Sequence, residues 1–211
     1  MVGFDLEHLP HHGPVPKGAD MVIQDVLTLH GSQFRDASLI LASHPCQFFS
    51  YCAMPWSRAK KLEQDVRSDA ERTRQATALF DACFRIQREA SEAAGHHIPM
   101  VVENVRGAQK WVGRSRWNFG SYFLWGDVPA LMPVACGRMK AQVTHRPANA
   151  PFLDFRSSGD GVEQHKSGRA WFADPDSISG STSSHSHARK AASAAIAKIP
   201  LPLAKHIALY W

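Results

Sequence analysis

Four short apolar runs punctuate this chain, and each stops abruptly at polar or turn-forming residues. Met1–Asp5 and Met21–Asp25 end in acids, Ser38–Ser43 runs into His44-Pro45-Cys46, and Ile98–Asn104 ends in Glu103-Asn104. Runs of this length bounded by turn signals read as buried strands of a parallel sheet. Between the third and fourth, Asp69–Ala94 carries Ala76, Leu79, Phe80, Cys83, Phe84 and Ile86 at three- and four-residue steps, which predicts a long amphipathic helix stopped by Gly95. Strand, helix, strand predicts an α/β fold with a parallel sheet and right-handed crossovers. Leu6–Asp20 is rich in His, Pro and Gly and reads as a loop, and Ser157–Ala188 as an irregular region. Arg189–Ala197 reads as a helix, followed by a turn at Pro200 and Pro202 and a second helical stretch.

The pattern has a chemical consequence. Ligands of open α/β sheets bind beyond the carboxyl ends of the strands. Neighbouring parallel strands lie about 4.8 Å apart, so Cys46 and Glu103 would share one rim if runs three and four are neighbours. Asp5 and Asp25 would line the same edge. The bland alternative is that Cys46 is a small buried hydrophobe. A cysteine hydrolase would need a histidine base, and His44, only two residues away, is poorly placed by the sequence to serve Cys46.

Composition narrows the field. The chain has 211 residues, 44% hydrophobic and 20% charged, enough for one domain with a good core and a small appendage. No apolar run is long enough to cross a bilayer, and the N-terminus lacks the pattern of a signal peptide. Cys46, Cys52, Cys83 and Cys136 form no CxxC pair, so neither a disulfide framework nor a cysteine zinc site is indicated, and a reducing cytoplasm fits. His185 and His187 lack further ligands at zinc-like spacing, so no metal site is expected. Net charge is +5, and much of it is concentrated: Arg106–Ala148 holds seven Lys and Arg against one acid, Asp127. The same segment contains Trp111, Trp117, Phe119, Tyr122, Phe123 and Trp125. Basic groups neutralise phosphates and aromatics stack on exposed bases. Equally, Trp117-Asn118-Phe119 is ordinary strand alternation, and the aromatics could be the core of a hairpin with Arg and Lys on its wet face.

Pro45-Cys46-Gln47 with Ser50, followed by Glu103-Asn104-Val105, resembles the paired signature motifs of the DNA cytosine-5 methyltransferase family. Val112-Gly113-Arg114-Ser115-Arg116 is similar to the family's Gln-x-Arg-x-Arg motif, with Val112 in place of glutamine. Ile196–Ala204 resembles the closing Gly-Asn-x-Val-Pro-Pro-x-Leu-Ala motif without its Gly-Asn pair, and the phrasing of Trp111–Pro133 is closest to phage and prophage members.

The resemblance implies a Rossmann-like S-adenosylmethionine-dependent methyltransferase sheet with a small, largely irregular or β target-recognition region. Residues 1–132 would be the catalytic core, 133–188 the target-recognition region and linker, and 189–211 a helical segment returning to the core. The partner would be double-stranded DNA, in a bacterial cytoplasm. It implies Cys46 as the nucleophile that adds to cytosine carbon 6, with Glu103 at ring nitrogen 3. Arg116 and Arg114 would orient the base and favour the thiolate, and Asn104 would position the Cys46 loop. Asp5, Asp25 and Pro45 would hold S-adenosylmethionine, and Gln47, Ser50, Arg106, Lys110, Arg138 and Lys140 would meet DNA. The family's first motif, an apolar strand running into a Gly-rich turn, should precede Asp5 and is not found. That strand would sit mid-sheet and its loss would expose apolar edges: it would come from another polypeptide, or the chain would be a truncated copy with weak cofactor binding, or a relic that binds DNA without methylating it.

Overall fold

Strand β1 (Val2–Asp5) pairs in parallel with β2 (Asp20–Ile23), in a register that sets Asp5 against Ile23. This computed structural model describes residues 1–6, 17–46, 48, 49, 56–130 and 199–211. The expected target-recognition region, the helix expected over 189–197, and Gln47, Ser50, Arg138 and Lys140 lie outside the described residues.

Strand β3 (Ile40–Ala42) leads to helices α1 (Trp56–Arg67) and α2 (Ala70–Ala94), and the chain returns through β4 (Met100–Asn104). Helix α2 starts where Asp69 accepts hydrogen bonds from the N–H groups of Glu71 and Arg72, satisfying orphan donors of the first turn. It ends where Gly95, at φ 73°, adopts the left-handed conformation that side chains disfavour. Thr77, Phe80, Cys83, Ile86 and Ala90 form its buried stripe. Helix α1 buries Ala59 and Val66.

The two strands that flank this helical crossover are neighbours. β3 pairs in parallel with β4, Ile40 opposite Met100, Leu41 opposite Val101 and Ala42 opposite Val102. β4 then pairs antiparallel with β6 (Tyr122–Gly126), which forms a hairpin with β5 (Trp117–Phe119), giving the order β3-β4-β6-β5. Alternation along β4 splits the core between two faces. Met100 and Val102 pack with Phe49, Phe80, Cys83, Ala108 and Trp125 on the α2 side. Val101 packs with Phe119, Tyr122 and Leu124 against Leu203 and Ile207 of α4 (Leu201–Tyr210) on the other. Most aromatics of the basic segment are thus hairpin core, while Trp117 stays exposed.

The protein is a mixed α/β fold, and one expectation needs correcting. The four apolar runs all form strands, but not one continuous parallel sheet: β1 and β2 are a separate pair, and the larger sheet is mixed. No ladder joins β3 to β1, because the chain leaves β2 through two one-turn 3-10 helices, Val26–Thr28 and Gly31–Phe34, which pack toward α2 instead. Gly31 lies so close to α2 that a Cβ there would strike Ile86 O and come within 2.6 Å of Glu89 Cβ. Its N–H donates to Glu89 Oε2 at 2.6 Å, and Arg85 donates to the carbonyls of Leu29 and Leu27. Apolar side chains stand in solvent on both small strands and on β3: Val2 is 55% exposed, Ile23 53% and Leu41 55%.

Candidate active site

The tips of β3 and β4 are stitched together by side chains. One step beyond the Ala42–Val102 pair, the Ser43 hydroxyl donates to Glu103 Oε2 at 2.7 Å. One step further, the Asn104 amide donates to the His44 carbonyl at 3.1 Å, while Asn104 Oδ1 accepts from Val105 N at 2.8 Å. Asn104 is only 1% exposed, so both of its polar ends are satisfied inside the protein. Its side chain therefore fixes the start of the loop that carries Pro45 and Cys46. Cys46 itself is half-buried, and its carbonyl accepts from Phe49 N at 3.0 Å, closing a tight turn.

His44 points into an aromatic nest rather than standing as an exposed base. Its ring meets Phe49 and Phe80 edge-on, and Asn104 Nδ2 lies 3.2 Å from Nδ1. Burial holds its pKa below the usual histidine value, against a smaller opposing effect of a hydrogen bond at Pro45. Beneath it, Cys83 is a buried thiol pushed up to about 11 by desolvation, an inert core residue. On β6, burial and then the charge of Glu103 push the Tyr122 phenol up to about 12, so it stays neutral across the physiological range.

Arg114 and Arg116 are both exposed, on the loop between α3 (Gln109–Val112) and β5. Arg116 N donates to Leu124 O at 2.8 Å, and Leu124 is the cross-strand partner of Glu103, so strand β6 lies between Arg116 and the strand that carries the carboxyl group. Three contacts that the sequence did not reveal shape this loop. Gln109 Oε1 accepts from both the N–H and hydroxyl of Ser115, Trp125 Nε1 donates to Gly113 O at 3.0 Å, and Gly113 adopts φ 85°. The glutamine one helical turn before Gly113 was the only available signal.

The other expected residues divide. Arg106 is exposed beside the site. Lys110 is drawn to α1, where Nζ lies 3.1 Å from Glu63 Oε2 and holds that carboxyl below its usual range. Arg67 stacks over Trp111 at 4.7 Å and donates to Lys110 O. Pro45 is exposed. Asp5 and Asp25 follow the carboxyl ends of adjoining parallel strands, away from the β3-β4 ladder. Asp5 Oδ1 accepts from Leu6 N, and Asp25 Oδ1 caps the next turn through Leu27 N. An open depression of about 500 Å³ lies against α2, lined by Leu27, Ala78, Asp81, Phe84, Arg85 and Arg88 among others, and none of the expected site residues lines it. Among the described residues, no three His, Cys, Asp or Glu side chains are grouped to hold a metal ion, and no helix is long and apolar enough to cross a membrane. No family model, no curated protein and no solved structure matches the chain.

Proposed function

We propose that this protein is a DNA cytosine-5 methyltransferase, or one chain of such an enzyme, using Cys46 as nucleophile and Glu103 as acid. One observation carries the reading: parallel strands β3 and β4 end side by side, tied by Ser43–Glu103 and His44–Asn104, so the Cys46 loop and the Glu103 carboxyl lie at one rim.

The chemistry assigns each group a task. Cytosine carbon 5 is too weak a nucleophile to accept a methyl group unaided. The Cys46 thiolate adds to ring carbon 6, and Glu103 delivers a proton to nitrogen 3, leaving an enamine nucleophilic at carbon 5. S-adenosylmethionine supplies the electrophilic methyl group. Carbon 5 takes the methyl group as its bond to sulfur breaks, leaving S-adenosylhomocysteine; loss of the carbon 5 proton to a base then expels the thiolate, nitrogen 3 returns its proton to Glu103, and the aromatic ring is restored. Arg116, with Arg114, orients the base carbonyl and favours the thiolate. The target base must leave the duplex to reach Cys46, and Arg106, Arg114, Arg116 and Trp117 are all exposed, which supports a basic, partly aromatic surface suited to DNA.

Asp5, the last residue of β1, and Asp25, two residues beyond β2, suit a ribose and an adenine, since adjoining parallel strands bring them to one edge. A strand inserted between β1 and β3 would merge the two sheets, cover Val2 and Leu41, and bring the acid pair into line with Cys46. That strand would come from an N-terminal segment or a partner chain. The same split favours a second reading, a relic that binds DNA without methylating it. Calorimetry with S-adenosylmethionine separates them: micromolar affinity excludes the relic. Covalent trapping on 5-fluorocytosine DNA tests the first reading, and absence of an adduct even when the Gly-rich strand is supplied in trans rejects it.

A further inference from the structure

We propose that Trp111 is a positioning residue of the nucleophile: its indole is the platform that holds the Cys46 turn in place. What this positioning serves rests on the methyltransferase reading, while the contact itself does not. Phe49 N donates to Cys46 O at 3.0 Å and closes the turn, and two adjacent aromatic side chains leave it in different directions. Phe49 is 2% exposed and enters the core, its ring 6.0 Å from that of His44. Phe48 turns to α3 and meets Trp111 at a centroid separation of 5.1 Å. The Arg67 guanidinium in turn lies over the Trp111 ring, 4.7 Å from its centroid.

Two tethers do what one cannot. Upstream of the sulfur, Asn104 holds the His44 carbonyl. Downstream, Phe49 alone would leave the turn free to swing about its buried ring, and the Phe48–Trp111 contact removes that freedom. A reacting atom misplaced by about 1 Å can cost about 100-fold in rate. Trp111 is itself held on a fixed backbone: Arg67 Nη2 donates to Lys110 O at 2.9 Å, and Trp125 Nε1 donates to Gly113 O at 3.0 Å. The same short helix secures the arginine loop, because Gln109 Oε1 accepts from the N–H and hydroxyl of Ser115. The Cys46 turn and the loop of Arg114 and Arg116 are thus fastened to one element.

The test is alkylation of the full chain by iodoacetamide at fixed pH, read peptide by peptide by mass spectrometry. Cys83, 4% exposed in the core, reports any general loosening of the fold. Trp111→Ala and Phe48→Ala should each speed alkylation of Cys46 about 3- to 10-fold, with little further gain in the double variant and no change at Cys83. Trp111→Phe, which keeps a ring, should stay within about twofold of the wild type. Unchanged Cys46 alkylation in Trp111→Ala, a matching rise at Cys83, full additivity in the double variant, or a Trp111→Phe rate equal to that of Trp111→Ala overturns the proposal. Trapping on 5-fluorocytosine DNA, with S-adenosylmethionine and the Gly-rich strand supplied, separates the two claims. Adduct formation should fall in Trp111→Ala while alkylation rises, and an equal adduct rate overturns the positioning role. Absence of an adduct in every variant and in the wild type rejects the methyltransferase reading, and the alkylation series then decides the Trp111 contact by itself.

Discussion

Replacing Asn104 with alanine should destabilise the fold far more than its small size suggests. The side chain is 1% exposed and satisfies two backbone groups, the His44 carbonyl at 3.1 Å and the Val105 N–H at 2.8 Å. Alanine would leave both without that partner, and an unsatisfied buried backbone group costs about 1–3 kcal/mol. Water reaching the half-buried His44 offsets part of this, so the expected loss is about 2–4 kcal/mol. Asn118→Ala is the matched control. Asn118 also donates to a backbone carbonyl, that of Gly120 at 3.1 Å, but from an exposed turn, and its removal should cost no more than about 0.5 kcal/mol. Urea unfolding with linear extrapolation measures both. A loss below about 1 kcal/mol for Asn104→Ala, or equal losses for the two variants, would refute the claim that this amide holds the strand tips together.

Two further perturbations probe the frame and the site. Gly31→Ala should lower Tm by about 4–8 °C in a thermal scan, because the new Cβ meets Ile86 O and the Ala90 amide nitrogen at 2.8 Å, both backbone atoms that cannot yield; an unchanged Tm contradicts the close packing of this turn on α2. His44 should make the protein acid-sensitive. Its folded pKa lies below the unfolded value near 6.5, so the unfolded chain binds the proton first, and stability present above that pH is lost as pH falls through the folded pKa. His44→Phe should show a smaller drop in Tm between pH 7.5 and pH 5 than the wild type, and equal drops would sink the assignment.

What the sequence revealed was local order. All four apolar runs became strands, and α2 begins and ends at the residues whose chemistry demands it, Asp69 and Gly95. Helix α1 escaped notice because Ala59 and Val66, its buried anchors, are sparse among Arg58, Lys60, Lys61, Glu63 and Asp65. The pairing of β3 with β4 was legible from the helical crossover between them. The separation of β1 and β2 was not, since strand pairing across distant segments leaves no local pattern. Within the site, Asn104 could be read as a loop anchor, whereas Ser43 and Gln109 act through neighbours distant in sequence and carry no periodic signal. Lys110 looked like a phosphate ligand by its place in a basic run, but its ammonium is drawn to Glu63 on α1, a helix the pattern had not exposed.

The central claim is that one rim carries a nucleophilic sulfur and an acid that serve the same base. Peptide mapping by mass spectrometry, after incubation with 5-fluorocytosine duplex, S-adenosylmethionine and a peptide supplying a Gly-rich strand, tests this most directly. The account predicts a nucleotide mass on the Cys46 peptide, lost in Cys46→Ser and reduced at least about 100-fold in rate in Glu103→Gln. Modification elsewhere, or an adduct on Cys46 that forms equally fast without the Glu103 carboxyl, would contradict it.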